Sequence, residues 1–291
     1  MMFGSFPVFG KIALQTFPSY GIVAFRVGGA AAAFLILQTL TGTMRLERRG
    51  DYWRFALYAL LGVILNQILF VKGLSLTSAT NTSLLAVTIP VFATIVSTCL
   101  GFDKPTWPKM AGILLAAFGV VYLLDPSKAS FSSETTRGDL LIIINSFCYA
   151  SYIAISKDAV ARNGALKSIA WLFLFGAIIC LPLGISSLLT LDLAIISSKA
   201  WLTIAFLVLF PTIGAYYLNA WALARVEPSI VAVYIYLQPL IGFVLAVIFL
   251  GEHFTTRALF AALMIFIGVF LVTRQTQTNK PLETAVHQTW N

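Results

Sequence analysis

Between Ser83 and Leu100 the chain carries no charged residue. Runs of this kind recur along nearly its whole length. They constrain the fold more than any other feature, because crossing the hydrocarbon core of a bilayer as a helix takes about 20 mostly apolar residues. Ten such segments are predicted, at roughly 2–16, 19–42, 52–72, 79–101, 108–125, 139–156, 168–189, 200–221, 228–250 and 256–273. The alternation of apolar and polar residues that a barrel strand needs is missing from them. In lipid only helices and closed barrels satisfy their own backbone groups, so an all-α integral membrane protein follows.

Composition agrees. Of the 291 residues 59% are hydrophobic and 10% charged, and mean hydropathy is +0.91. A soluble domain carries about a quarter charged residues, and this chain has too few to cover a polar surface. The first segment is short. No basic region precedes it and no small-residue cleavage site follows, which argues against a secretory signal.

The net charge of +8 is distributed for a membrane rather than for nucleic acid. With a cytoplasmic N-terminus, the inner loops hold twelve Lys and Arg residues against five outside. The excess of basic residues on the cytoplasmic side predicts both termini inside, in a bacterial plasma membrane. The Glu47–Arg49 stretch reads as an anchor at anionic headgroups. Cys99, Cys148 and Cys180 all fall inside spans, with neither a disulfide framework nor metal-type spacing. No metal site and no cofactor is expected.

A shift of 149 residues places Pro90 on Pro239, Asp103 on Glu252, Thr106 on Thr255 and Gly119–Val120 on Gly268–Val269. From Gly73 to Leu124 no gap is needed. Six of these 52 pairs are identical, and the better sign of a repeat is the matched order of helix, acidic loop and helix. Each half then holds five spans. Five is odd, so the second half sits inverted on the first, a recurring plan of secondary transporters. The expected organisation is a first repeat at 1–125, a connecting loop at 126–138, a second repeat at 139–274 and a polar cytoplasmic tail at 275–291.

Several stretches carry a family resemblance: FGSF at Phe3–Phe6, Lys11, Phe25–Arg26, NQILFVKGLSLTSATNTSLL at Asn66–Leu85, the segment Pro90–Val120, and QPLIGFVLAVIFLGEHFTTRALFAALMIFIGVFLV at Gln238–Val272 with its GE loop. On these residues the chain resembles the drug/metabolite transporter superfamily, in its ten-helix EamA branch. The resemblance implies a small-molecule carrier, and amino acids or related metabolites as exported substrates. No motif names the substrate.

The residues themselves offer a site. All eleven acidic residues lie in predicted loops or at helix ends, so no mid-membrane carboxylate relay is expected. Lys11 and Arg26 are intramembrane cations; Lys11 is a substrate-binding candidate, and Arg26 either serves transport or clamps backbone carbonyls between helices. Uncharged polar residues within the spans are the stronger pocket candidates: Asn66, Gln67, Asn81, Asn145, Asn219, Tyr234 and Gln238. Tyr234 and Gln238, four apart, share a helix face. Tyr216 falls on Gln67 in the repeat and joins them. Pro90 and Pro239 occupy equivalent mid-span places. Each lacks a backbone N–H and breaks a helical hydrogen bond, which predicts a pair of hinges flanking the substrate, with a static kink that shapes packing as the alternative. Pro211, which falls on Gly62, is a third hinge candidate.

These features lead to a secondary carrier that moves a small polar or amphipathic metabolite by alternating access. The expected partners are that small molecule and the lipid bilayer, with no nucleic acid. An intramembrane lipid-modifying enzyme is the rival, but no span holds a histidine or a mid-span carboxylate for chemistry. A non-transporting sensor or scaffold is a third class. ATP drive by this chain is disfavoured by the absence of a GxxxxGK[ST] loop.

Overall fold

The structure is a computed structural model that describes residues 2–86, 88–101, 106–124, 133–189, 191, 196–223, 237–251 and 255–278. Every regular element among them is helical. In chain order these are α1 (Met2–Leu14), α2 (Ser19–Thr41), α3 (Arg49–Ala59), a π-helical turn at Leu60–Leu65, α4 (Asn66–Leu76), α5 (Ala79–Ala86), α6 (Ile89–Cys99) and α7 (Trp107–Leu124). Then come α8 (Glu134–Asn163), α9 (Ala165–Leu188), α10 (Ser198–Val208), a second π-helical turn at Leu209–Gly214, α11 (Ala215–Leu223), α12 (Leu237–Leu250) and α13 (Thr256–Thr278).

Among the described residues six helical stretches are long and apolar enough to cross a membrane, and shorter apolar helices cover Met2–Leu14, Met110–Gly119 and Thr256–Gly268. Large apolar side chains such as Leu114, Leu202 and Ile248 lie exposed on the outside, as a lipid solvent demands. The core is built from Phe17, Phe34, Phe55, Leu172 and Phe173. Some helices outrun the apolar segments that announce them. The predicted span 139–156 lies inside α8, which runs from Glu134 to Asn163. The extra turn at its start is held by Ser133, whose Oγ accepts from the Thr136 N–H at 3.1 Å. At its other end Gly164 takes φ 82°, a conformation that suits glycine and stops the helix.

Two long helix pairs organise the bundle. In the first, α2 and α9 run antiparallel: Gly21 lies against Leu188 and Gly28 against Leu181, while the Phe34 and Phe173 rings meet at 5.4 Å. In the second, α7 and α13 are antiparallel as well. A Cβ added at Gly119 would sit 2.9 Å from Met264 and Ile265, and one at Gly268 would sit 2.5 Å from the Gly112 carbonyl and 2.6 Å from the Ala116 nitrogen. Only hydrogen fits at these two places, so the backbones pack closely, as small residues allow between membrane helices.

Pro90 stands in the first turn described for α6, whose N-cap is Thr88. The first turn of a helix needs no proline N–H, so the residue begins a helix there. Just before it, the Leu85 carbonyl accepts from the Thr88 N–H at 3.1 Å and the Thr88 hydroxyl at 2.6 Å. Pro239 lies in the first turn described for α12; Tyr234 and the tail 279–291 lie outside the described residues.

Candidate functional site

Proline chemistry shapes the middle of the bundle. Pro211 lies buried inside the π-helical turn Leu209–Gly214. Having no N–H, it cannot serve the Leu207 carbonyl one turn earlier. The Thr212 hydroxyl serves it instead, at 2.7 Å. That hydroxyl oxygen then accepts from Arg26 Nε at 2.8 Å. π-Helical turns are rare and recur at functional sites. The other π-helical turn among the described residues, Leu60–Leu65, is offset from this one by 149 residues.

Arg26 is 3% exposed. Its Nη1 donates to Gln67 Oε1 in a short hydrogen bond, and its guanidinium lies over the Phe6 ring at 3.8 Å from the centroid. Gln67 Nε2 donates onward to the Tyr216 hydroxyl at 3.1 Å. The Tyr216 hydroxyl lies 3.3 Å from Asn66 Oδ1 and 3.4 Å from the Gly62 carbonyl, the acceptors for its one proton. Asn145 Nδ2 donates to the Asn66 carbonyl at 2.7 Å. The chain of donors thus runs in one direction, from guanidinium to amide to phenol to carbonyl. Phe3 and Phe173 hold the Tyr216 ring edge-on, at 5.5 and 5.0 Å.

This network borders a cavity of about 90 Å³. Arg26, Asn66, Gln67, Tyr149, Tyr216 and Asn219 supply polar groups to its wall, and Phe3, Phe6 and Phe70 supply aromatic ones. Four of the candidates named from sequence therefore meet in one place: Asn66, Gln67, Tyr216 and Asn219. Asn81 stands elsewhere. Its Nδ2 donates to Asp139 Oδ2 at 3.2 Å, and this buried carboxylate also accepts from the Thr77 hydroxyl at 2.5 Å. Lys11, half-buried in the last turn of α1, is not among the residues bordering the cavity. Gln238 belongs to α12, but the surroundings of its side chain lie outside the described residues. Sequence reasoning named Arg26 without placing it in the site and did not name Thr212. The signal for Thr212 was its place directly after Pro211.

A second polar cluster closes one end of the bundle. The Asp51 carboxylate, 1% exposed, takes Arg162 Nη2 at 2.8 Å and Asn163 Nδ2 at 2.9 Å. Asn163 Oδ1 in turn accepts from the Glu47 N–H at 2.9 Å. These bonds tie the start of α3 to the end of α8.

Comparison with known proteins places this architecture. An uncharacterized transporter of Archaeoglobus fulgidus is 27% identical over 93% of this chain and 92% of its own. A WAT1-related protein of Arabidopsis thaliana is 27% identical over 88% of this chain and 76% of its own. A protein of Streptantibioticus cattleyicolor described as a "probable terminal-alkyne amino-acid exporter" is 24% identical over 88% of this chain and 86% of its own. One solved crystal structure shares the fold with a TM-score of 0.65 at 18% identity, covering 96% of this chain and 97% of that one. The sequence profile of the EamA-like transporter family matches residues 1–124 and 136–274. With both stretches matched and a multi-pass helical architecture around a polar cavity, this chain belongs to the EamA-like transporter family, within the drug/metabolite transporter superfamily.

Proposed function

We propose that the chain is an alternating-access secondary carrier that exports a small polar or amphipathic metabolite, of amino-acid type, through the cavity between α1, α4 and α11. The observation that carries this reading is the cavity wall. It combines polar side chains with aromatic ones, drawn from both of the stretches that the family profile matches. Pockets for small molecules have this make-up, with a few placed polar groups in a mostly apolar lining.

The mechanism rests on two inverted five-helix repeats, 1–125 and 139–274, joined through 126–138. Three relations support it, all at a shift of 149 residues. The two π-helical turns match; Gln67 bonds its counterpart Tyr216; and Gly119 and Gly268 each pack on the other's helix. Inversion requires equivalent helices to run antiparallel, as α2 and α9 do. Rocking of one repeat on the other would then open the cavity alternately to each side. Pro90, Pro211 and Pro239 supply the bending points, and Tyr234 and Gln238 complete the cavity. The excess of inner basic residues supports cytoplasmic termini in a bacterial plasma membrane.

The test is reconstitution in liposomes with a screen of labelled amino acids and related metabolites. Saturable flux above protein-free liposomes for at least one of them is expected. Flux for none of them overturns the amino-acid reading.

A further inference from the structure

Arg26 is a buried charge that its helical partners do not neutralise. The guanidinium has five N–H donors. One goes to Thr212 and one to Gln67, both uncharged acceptors. Among the described residues it has no carboxylate partner, and it is the one charged residue bordering the cavity. The three remaining donors, on Nη1 and Nη2, have no acceptor among the described residues. A cation inside a membrane protein is expensive to bury and is ordinarily paired.

Tying helices together explains part of this arrangement. The bonds to Thr212 and Gln67 join α2 to the second π-helical turn and to α4. A neutral donor would do the same without the burial cost of a charge, so the tie leaves the charge itself without a purpose. The orientation is fixed as well. Phe6 lies against one face of the guanidinium, and the two bonds hold its plane. A planar fork presented at a set angle is the geometry that receives a carboxylate through two parallel hydrogen bonds.

We propose that Arg26 is the substrate-charge site of the cavity, and that the transported molecule carries a carboxylate which docks on the free Nη edge. The proposal rests on the reading of the cavity as a substrate site. One guanidinium balances the charge of one bound carboxylate, whereas a phosphate dianion would need a second cation that the described wall does not supply. The rest of the ligand meets Asn66, Asn219 and the aromatic residues of the wall.

The test compares acids with their own amides on the intact protein in detergent, by thermal shift at millimolar ligand. The probes are L-leucine, L-phenylalanine and L-methionine, each against its carboxamide, at constant chloride. At least one acid is expected to raise the melting temperature more than its amide. Arg26→Gln is expected to weaken the binding of that acid about tenfold to a hundredfold, leaving acid and amide alike. Arg26→Lys is expected to keep the preference for the acid at lower affinity. The wild-type comparison stands even if the variants fold poorly. If no acid exceeds its amide, or if the preference survives in folded Arg26→Gln, the proposal is overturned. Flux in liposomes separates the two readings. Carboxylate-selective binding without flux overturns the carrier and leaves the charge site, while flux that carries acid and amide equally overturns the charge site and leaves the carrier.

Discussion

Gln67 Nε2 donates a hydrogen bond to the Tyr216 hydroxyl over 3.1 Å, and the two residues stand 149 positions apart. That is the shift at which the sequence sets Pro90 on Pro239 and Gly119 on Gly268. Residues exchanged by a two-fold rotation can touch each other only on its axis. The bond therefore marks where such an axis would pass, and the cavity lies beside it.

Removing the Tyr216 hydroxyl breaks the chain of donors in two places. In Tyr216→Phe the Gln67 amide loses its acceptor, and the Gly62 carbonyl and Asn66 Oδ1 lose a donor. The ring keeps its place between Phe3 and Phe173. We expect a loss of about 1–2 kcal/mol in stability and a larger relative loss of transport. Melting temperature and flux per folded molecule, measured together, check it. Flux that falls only in proportion to folded protein would make the network a structural one.

Gly268 faces the Gly112 carbonyl at a distance no Cβ tolerates. Gly268→Val should force α7 and α13 apart at a cost of about 1–3 kcal/mol. Gly119→Val, its counterpart, should behave alike. Thermal unfolding in detergent reads both, and a valine at either place that leaves the melting temperature unchanged contradicts the packing described.

Pro90→Ala separates hinge from shape. The proline occupies the first turn of α6, where its missing N–H breaks no helical bond of that turn. Alanine there should change stability by less than about 1 kcal/mol. If the start of α6 is a bending point, restoring an N–H there biases one state. A bias of 1.4 kcal/mol changes the ratio of two states about tenfold. We expect turnover to fall while the folded protein persists; wild-type turnover per folded molecule would remove Pro90 from the mechanism.

Asp51→Ala should open the polar cluster at the end of the bundle. Arg162 and Asn163 would lose their shared acceptor, at about 1–3 kcal/mol for the buried side of the cluster. The further contact to Arg54 at 3.8 Å adds little, because Arg54 is largely exposed. The check is thermal unfolding of Asp51→Ala beside Arg54→Ala, with the first expected to be the more destabilising.

The helical bundle was legible because a bilayer leaves few alternatives: Ser83–Leu100 without a charge reads as one span, and the structure places α5 and α6 there. The meeting of Gln67 with Tyr216 was half legible, since the repeat named them as counterparts but could not bring them into contact. The π-helical turns were not, because a hydrogen-bond pattern that slips by one residue leaves no mark in the periodicity of Leu60–Leu65. Arg26 was underrated for a related reason. Counted along α2 it lies two turns from the helix start, which reads as within reach of the interface, but burial is decided by what packs around it. Here α1, α4 and the second π-helical turn enclose it. The bonds of Asp51 and Asp139 were hidden in the same way, both reading as ordinary helix-end acids.

The central claim is that the cavity beside Gln67 and Tyr216 is the path of the transported molecule. Asn219 borders it half-buried, so Asn219→Trp should fill it without removing a bond from the chain of donors. The direct measurement is flux of a carried amino acid into proteoliposomes, per folded molecule, for wild type and for this variant. Near-complete loss of saturable flux, with the melting temperature held, is the outcome expected. Flux at the wild-type rate through the tryptophan variant would contradict the account.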